Sequence, residues 1–441
     1  MTDENSRRRF LSQSALGAAA GLFAAPAGAI VTDPAPFTSS STLALNVHNF
    51  GARADGSTDD TAAIQRALDV AGKAGGGIVE LPTGHYAVKG TLQVPGGVLL
   101  QGSFRVPPCS RHDHSPHLHG TVLYAFAGRG KPEAPPFILL NGNMAAVQGV
   151  IITYPEWKRT DVPPVPYPPA IAALQNTENV SVLDCCLLNT YEAIHLQSSS
   201  RHLIRNVYAY PHYRGLYIDN CTDIGRVENC HFWPFGTTYY PDDPFSKWVN
   251  LNGVAFEFAR TDWQYVFNTF CFGYGVGYKF SQSKAGACNG NFLGIGSDSC
   301  ERDILVEQAQ PYGLLITNGE FVGRWTSKHA TCIEILEGAA SKLSLTNCSF
   351  WGPIHRIVWQ KSKQMQFTAN VCHFVDWTDN AIQIDAGRAI IQGCTFMQDR
   401  KAITVGPNAT SVLITTNQAP GGLKVDNQAG PRTQMGFNEQ A

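Results

Sequence analysis

The chain has 441 residues, of which 44% are hydrophobic and 15% are charged, and its formal net charge is -2 at pH 7. This length allows two or three average domains or one large β structure, and the small net charge argues against nucleic-acid and anionic-membrane partners. The 42 glycines, 26 prolines and 10% aromatic residues favour an all-β protein with many turns over a helical bundle.

The first 29 residues have the pattern of an export signal. The stretch SRRRFL at residues 6–11 is followed by an apolar, alanine-rich run and then by PAGA, which offers a cleavage site after Ala29. This pattern predicts a twin-arginine signal peptide at residues 1–29 and a linker at 30–45, and the apolar run is too short to remain as a membrane anchor. We therefore expect a periplasmic or secreted protein that engages the twin-arginine export machinery. A disordered basic tail is the alternative.

Residues 50–86 read FGARADGSTDDTAAIQRALDVAGKAGGGIVELPTGHY. Ser57 and Asp59 fit a helix N-cap, the apolar residues that follow have helical spacing, and a run of glycines ends the pattern. The open end of a solenoid must be covered, and a short amphipathic helix does so. We therefore expect Asp55, Asp59 and Asp60 to begin the fold rather than to form a catalytic cluster.

A Cys-x-Phe pattern recurs along the chain, at Cys230/Phe232, Cys348/Phe350, Cys372/Phe374 and Cys394/Phe396. The last three phenylalanines are 24 and then 22 residues apart, and Phe270, Phe292 and Phe321 extend the series. A fixed period of this size is typical of a solenoid, in which each repeat buries its apolar face on its neighbours.

Short segments of alternating polarity lie between these positions, including AIHLQ, GLYID, AFEFA, GYKFS and CIEIL. Alternation with period two predicts strands, and the consensus of leucine-rich repeats is absent. The sequence thus predicts an all-β fold, a single-stranded right-handed parallel β-helix over residues 46–425 with a short N-terminal capping helix and a tail at 426–441. We expect most cysteines to be reduced members of an internal stack rather than disulfides.

Residues 50–86 resemble the opening segment of the pectate-lyase-like superfamily, in its rhamnogalacturonase/epimerase-like branch, and the coil pattern extends the resemblance to about residue 420. Members of that superfamily are mostly polysaccharide hydrolases, lyases or epimerases, with some phage tailspikes. The resemblance implies a carbohydrate partner and does not choose the reaction.

Loops that precede the strands are long and rich in aromatic and charged residues, whereas loops that follow them are short and contain few such residues. Such one-sided enrichment predicts a sugar-binding groove, because aromatic faces stack on sugar rings and charged groups bind hydroxyls or uronates. Aligning the strands by their inward residues places four titratable side chains in one outward row, namely His195, Tyr217, Glu257 and Lys279. Asp219 follows one step along its strand.

Three hypotheses fit this row, and the sequence favours the first, an exported glycoside hydrolase that acts on an acidic polysaccharide. In the first, Glu257 and Asp219 form a diagonal carboxylate pair with room for a water, as in inverting glycoside hydrolysis, with Lys279 favouring a base role for Glu257 and with His195 or Asp219 as acid. In the second, Lys279, Tyr217 or His195 abstracts the C5 proton of a uronate while Arg214 neutralises its carboxylate, as in a lyase or epimerase. In the third, the groove only binds carbohydrate and Glu257–Lys279 is a surface ion pair.

Glu192 is a further catalytic candidate, because it stands where polygalacturonase-like enzymes place an aspartate. The Asn-Thr-Asp, Asp-Asp, Gly-His-Gly and Arg-Ile-Lys set of those enzymes is missing, which argues against ordinary pectin hydrolysis. Loop residues predicted to bind substrate are Glu156, Trp157, His212, Arg214, Trp233, Tyr240, Asp243 and Trp248.

Four histidines crowd a short segment at residues 112–119. Dense histidines can bind zinc or copper, yet no supporting His-Glu-x-x-His or paired Cys-x-x-Cys spacing is present. The recognisable ligand spacing of a calcium site is also missing. We therefore expect a polar loop at this segment and predict no metal and no cofactor.

Overall fold

Parallel strands stack from one end of the described chain to the other. The computed structural model describes residues 43–103, 118–233 and 242–440. The predicted signal peptide, Tyr240 and His112, His114 and His117 lie outside these residues, so the export hypothesis stays a prediction. Each strand pairs in parallel with the strand one coil before it and the strand one coil after it, which is the pattern of a right-handed parallel β-helix.

The coils build three long sheets. Sheet 1 contains Asp55–Asp59, Gly84–Val88, Thr121–Ala125, Ile151–Thr153, His231–Phe232, Phe270–Phe272, Gly296–Cys300, Glu320–Gly323, Ser349–Trp351, His373–Phe374 and Thr395–Phe396. Sheet 2 contains Leu92–Pro95, Ile138–Asn141, Ile171–Ala173, Glu192–Gln197, Arg214–Asp219, Val254–Phe258, Val276–Phe280, Arg302–Val306, Thr331–Ile335, Ile354–Gln360 and Val425–Asn427. Sheet 3 contains Ala44–Asn46, Gly77–Glu80, Val98–Gln101, Ala146–Gln148, Arg226–Glu228, Thr261–Phe267, Cys288–Leu293, Leu314–Thr317, Ala340–Thr346, Gln364–Asn370 and Thr433–Gly436.

Long strands turn the corners between sheets. Ser181–Leu188 and Leu203–Ala209 run from sheet 3 into sheet 1, and Trp377–Gln392 and Ile403–Thr415 run from sheet 2 into sheet 3. A separate small ladder joins Thr177–Glu178 to Ser199–Ser200.

The register of sheet 2 agrees with the sequence alignment of its strands. His195 pairs with Tyr217, Tyr217 with Glu257, and Glu257 with Lys279. The residues on either side of each of these four point inward and are fully buried, as Ile194 and Leu196 are around His195. The predicted outward row is therefore confirmed.

The phenylalanines of the four Cys-x-Phe pairs all lie in one row of sheet 1, and ring-on-ring stacking along it is continuous in the last coils. The rings of Phe321, Phe350, Phe374 and Phe396 stack on one another in sheet 1, with centroids 4.9–5.4 Å apart. Its extension to Phe270 and Phe292 is wrong, because Phe270 faces solvent and Phe292 belongs to sheet 3.

Aromatic side chains of sheet 2 fill the space that the ladder leaves in the middle coils. There Cys271 and Ser297 continue the row of Phe232 and Phe321 in sheet 1. The rings of Phe256 and Tyr278 stack beside Phe232, so the small residues make room for them.

The predicted reduced cysteines are confirmed for the described residues, where every cysteine is free and buried. Cys109 lies outside them. Burial in an apolar interior raises the pKa of thiols such as Cys185 and Cys230 to about 12. These side chains act as small apolar core residues.

Helix α1, Thr61–Lys73, covers the N-terminal end of the core as predicted. It buries Ala63, Ile64, Ala67, Leu68 and Ala71, the residues with helical spacing. The proposed Ser57 cap is wrong, because the helix begins four residues later and the Ser57 hydroxyl donates to Asp55. Asp59 accepts the Thr61 amide at 3.1 Å.

Asp60 is 1% exposed and binds the loop in front of α1. Its carboxylate accepts the backbone amides of Arg53 at 2.7 Å and Ala54 at 3.0 Å. The acidic residues of this segment therefore organise the start of the fold.

Pairing extends slightly beyond the expected domain limits. Ala44–Asn46 pairs with Gly77–Glu80 inside the expected linker, and Val425–Asn427 and Thr433–Gly436 form a last coil where a tail was expected. Helix α2, Pro244–Asn252, precedes a sheet 2 strand, and 3-10 turns occur at Val47–Phe50 and Gly430–Arg432. Within the described ranges, no helix is long and apolar enough to cross a bilayer.

We expect Asp60→Asn to destabilise the protein by about 1–3 kcal/mol, because the new amide leaves one of two backbone N–H groups without an acceptor. Asp69→Asn is the control, since Asp69 lies on the exposed face of α1 and contacts only the Gln65 side chain. Chemical denaturation measures both. Equal stabilities for the two variants would show that Asp60 does not anchor the loop.

A thiol reagent should leave the eleven described cysteines unlabelled in the folded protein, because they are buried. After denaturation without reductant, mass spectrometry should find all of them labelled. Protection of Cys348, Cys372 and Cys394 under those denaturing conditions would reveal disulfides and contradict the stack.

Candidate active site

The outward row of sheet 2 carries a cluster of charged and polar side chains. Alternation along each strand points His195, Tyr217, Glu257 and Lys279 away from the core. Coils stack about 4.8 Å apart, so these four side chains on consecutive coils lie within reach of one substrate.

Glu192 and Arg214 begin the two strands that carry His195 and Tyr217, and they pair in register. The Arg214 guanidinium donates from Nε and Nη2 to Glu192 Oε1, at 2.9 and 2.8 Å. The same oxygen lies 3.1 Å from Nδ1 of His195. One buried carboxylate thus orients both a cation and an imidazole.

Tyr217 lies between these groups. Its ring meets the His195 ring edge to face, with centroids 4.9 Å apart and planes at 90°. The Arg214 guanidinium lies 4.1 Å from the Tyr217 ring centroid, a cation–π contact. Burial, followed by the charges of Asp219 and Glu257, raises the pKa of Tyr217 well above its ordinary value, so the phenol keeps its proton at neutral pH.

Lys279 links two carboxylates on the far side of Tyr217. Its Nζ lies 3.2 Å from Glu257 and 3.1 Å from Glu307, and Glu257 also approaches Arg214 at 3.5 Å. Burial works to lower the pKa of Lys279, but the attraction of both glutamates outweighs it and the pKa is raised. Glu192 and Glu257 are therefore both paired with cations.

Asp219 occupies its predicted place, opposite Gln197 and one step beyond Tyr217. Its Oδ1 accepts hydrogen bonds from the amides of Asn220 and Arg260, at 2.8 and 3.1 Å, and from the Ser283 hydroxyl at 2.7 Å. These bonds tie together the turns that follow neighbouring strands. Asp219 has a structural role that the sequence did not predict.

Comparisons with known proteins agree with this architecture. A family model described as rhamnogalacturonase A/epimerase, pectate lyase-like, matches residues 44–126. The A-module of mannuronan C-5 epimerase AlgE6 from Azotobacter vinelandii superposes with a TM-score of 0.54 at 15% identity, covering 90% of this chain and 99% of that one. The fold is a parallel β-helix, and its N-terminal residues 44–126 are similar to the pectate-lyase-like family.

One further match in fold and one in a short stretch of sequence complete the comparison. The N-terminal fragment of gene product 12 of bacteriophage phi29 superposes with a TM-score of 0.60 at 13% identity, covering 85% of this chain and 66% of that one. Alginate lyase 7 from Azotobacter vinelandii is 56% identical over 58 residues, or 13% of this chain and 7% of that protein. The chain thus spans only a small part of that curated relative.

Several loop residues expected to bind substrate pack against neighbouring loops and the core. His212 is 3% exposed and lies between the rings of Trp157 and Phe245, at 5.2 and 4.9 Å. Burial, with a smaller effect of Arg159, lowers the pKa of His212 to about 3, so it stays neutral. His212 and Trp157 therefore pack together in the loop layer, and their role in binding substrate stays a prediction.

Asp243 and two tryptophans also have structural roles. Asp243 caps helix α2 by accepting the Ser246 amide at 2.9 Å, and it pairs with Arg159 at 3.0 Å. Trp248 is partly buried against the core, and Trp233 packs beside sheet 1, 5.9 Å from Phe272.

Glu156 is exposed on its loop, outside the cluster. Of the loop residues expected to bind substrate, Arg214 alone among the described ones joins the cluster. No group of three or more potential metal-ligating side chains occurs in the described parts of the chain.

Sequence reasoning missed three residues beside the cluster. Tyr191 and Tyr213 stack at 5.0 Å with planes 18° apart, and Tyr213 is 38% exposed. Tyr191 directly precedes Glu192, and Tyr213 directly precedes Arg214. This repeat of a tyrosine followed by a charged residue could have indicated both tyrosines in the sequence. Glu307 was missed because it lies in the loop that follows its strand, and those loops contain few aromatic and charged residues.

Glu192→Gln should destabilise the protein by about 1–3 kcal/mol, because Arg214 and His195 lose a shared charged acceptor. Glu307→Gln is the matched control, since Glu307 is more exposed and pairs only with Lys279, which predicts a loss of up to about 1 kcal/mol. Denaturant titration compares the two. Similar losses for both variants would contradict a central role for Glu192.

Proposed function

We propose that the protein is a polysaccharide lyase that cleaves a uronic-acid polymer after removing the proton at C5 of a uronate. The observation that carries the proposal is the contact between His195 and Tyr217 on neighbouring coils, with Glu192 behind the imidazole and cations on either side. This is the second of the hypotheses drawn from the sequence.

His195 serves as the base. Because Nδ1 faces the Glu192 carboxylate, it carries the proton, and Nε2 keeps the lone pair that a base needs. A carboxylate behind an imidazole also stabilises the imidazolium that forms when Nε2 accepts the C5 proton.

Tyr217 serves as the acid. Its raised pKa keeps the phenol protonated, so the hydroxyl donates to the glycosidic oxygen that leaves C4. Base and acid lie side by side in the outward row of sheet 2, as neighbouring ring positions of one sugar require. Epimerisation would need a proton returned from the opposite face of the ring, which this pair does not supply.

Arg214 and Lys279 bind and neutralise the uronate carboxylate. An ammonium has three donors, and Lys279 uses two of them on Glu257 and Glu307. Arg214 uses Nε and Nη2 on Glu192, and its Nη1 makes a longer contact with Glu257, at 3.5 Å. A carboxylate held by these donors stabilises the negative charge that develops when C5 loses its proton.

The elimination balances without another reactant. The C5–H electron pair forms the C4=C5 double bond, the C4–O bond breaks, and its electrons go to the leaving oxygen with the Tyr217 proton. His195 holds the C5 proton, and exchange with solvent returns both residues to their starting states.

Hydrolysis by Asp219 and Glu257 is less well supported. Inverting hydrolysis needs a carboxylic acid that donates a proton and a free carboxylate that activates water. Oδ1 of Asp219 already accepts three hydrogen bonds, and Glu257 is paired with Lys279. The name of the relative alginate lyase 7 supports a uronate substrate and elimination as the reaction.

Incubation of the purified protein with alginate, polygalacturonate and a neutral glucan separates the hypotheses. We expect cleavage of a uronate polymer, seen as new reducing ends together with the ultraviolet absorbance of an unsaturated uronate. Reducing ends without that absorbance would establish hydrolysis. Changed C5 configuration without cleavage would establish epimerisation, and retention without products would leave only binding.

On the polymer that is cleaved, Tyr217→Phe should fold normally and lose about 10²- to 10⁴-fold in kcat, because only the proton donor is removed. His195→Ala should lose a similar factor. Lys73→Ala, at the exposed end of α1, is the control and should keep full activity. Full activity in Tyr217→Phe together with inactive Asp219→Asn and Glu257→Gln would restore the hydrolase hypothesis.

A further inference from the structure

A pocket of about 870 Å³ opens between helix α2 and the loop that precedes the Thr331–Ile335 strand. Its lining includes Lys247 and Asn250 from α2 and Ser327, Lys328 and His329 from the loop. None of these residues belongs to the cluster around Tyr217.

The pocket lies along the axis of the solenoid from the cluster. Arg214 is followed in register by Val254, Val276 and Arg302, and Arg302 adjoins the pocket residue Glu301. Three coil steps are about 14 Å. A polysaccharide that passes over Tyr217 along the axis therefore reaches the pocket with sugars beyond the cleaved bond.

Basic side chains line the pocket without strong internal partners. Lys328 and His329 are exposed, and neither has a carboxylate within ion-pair distance among the residues that the structure describes. Lys247 pairs only with Asp242, at 3.5 Å, and that aspartate side chain is 98% exposed. Such a weak surface pair gives way readily to a ligand.

The half-buried carboxylate of Glu301 in the pocket is already paired with cations. Glu301 lies 3.8 Å from Arg302 and 3.6 Å from Arg324, and it accepts the Ser327 hydroxyl at 2.7 Å. The remaining charge that faces the pocket is therefore positive, apart from the exposed Asp242.

The loop that carries Lys328 and His329 is fixed at both ends. Ser327 is bound to Glu301 and accepts the His329 amide at 3.2 Å, while Arg302 donates to the His329 carbonyl at 2.8 Å. These bonds hold the backbone so that the two basic side chains remain at the pocket.

The pocket also has an unused acceptor. Asn250 Oδ1 is buried and has no hydrogen-bond donor in the described structure. Its backbone carbonyl accepts Arg324 Nη1 at 2.9 Å, and Arg324 also donates to the carbonyls of Tyr274 and Ser299, so the end of α2 is firmly anchored. A buried acceptor without a donor is costly, and a sugar hydroxyl would satisfy it.

We propose that this pocket is a distal subsite that binds the carboxylate of a uronate several residues from the cleaved bond. The inference rests on the proposed function for its substrate class. Lys247, Lys328 and His329 supply the positive charge, and Asn250 accepts a hydroxyl of the same sugar. The subsite makes long anionic chains better substrates than short ones.

Calorimetric binding of oligouronates of increasing length, in the inactive Tyr217→Phe background, tests the subsite without turnover. Adding Lys328→Ala and His329→Ala together should weaken binding of long oligouronates by about five- to tenfold and leave that of the shortest unchanged. Adding Lys73→Ala instead is the control, and it should change the binding of neither long nor short oligouronates. Raising the salt concentration should shrink the difference between long and short chains.

In the active enzyme the double variant should raise KM on polymer at unchanged kcat, because the subsite is remote from the reacting atoms. Equal binding of long oligouronates by the double variant and the control would overturn the subsite. The subsite would stand and the lyase proposal would fail if long oligouronates bound in this length-dependent way while the wild-type protein produced no unsaturated ends. Failure of wild-type protein to bind any oligouronate would overturn both.

Discussion

The parallel register of sheet 2 is the constraint on which the rest of the structure depends. It fixes the order of Glu192, Arg214, Tyr217, Glu257 and Lys279 across consecutive coils. A slip of one residue in any strand would turn its outward side chain into the core. The fully buried inward neighbours oppose such a slip, so the packing of the interior determines the geometry of the surface site.

The charged side chains of the site are paired with one another, and the residues beneath them are buried and apolar. Carboxylates and cations alternate in a chain of ion pairs that runs through Glu192, Arg214, Glu257, Lys279 and Glu307. Each of the two cations is thus oriented by two glutamates. This arrangement limits the cost of collecting like charges while it leaves donors for a substrate carboxylate. It also leaves the imidazole and the phenol as the pair best suited to proton transfer.

Patterns repeated along the chain predicted the fold and the outward row, because alternation and coil period are local properties of the sequence. The sequence could not reveal that Asp219 is held by Arg260 and Ser283, which come from later coils. The burial of His212 likewise depends on Phe245, in a helix inside an insertion whose docking no local pattern specifies. Residues far apart in the chain decide which predicted side chains remain free to act.

Removal of the C5 proton is the central claim, and the kinetic isotope effect on kcat/KM with a C5-deuterated uronate polymer tests it most directly. The proposed mechanism predicts slower cleavage of the deuterated polymer, with an unsaturated uronate at each new non-reducing end. Cleavage at the same rate for both polymers, with saturated ends, would contradict proton abstraction and point to hydrolysis at the glycosidic bond.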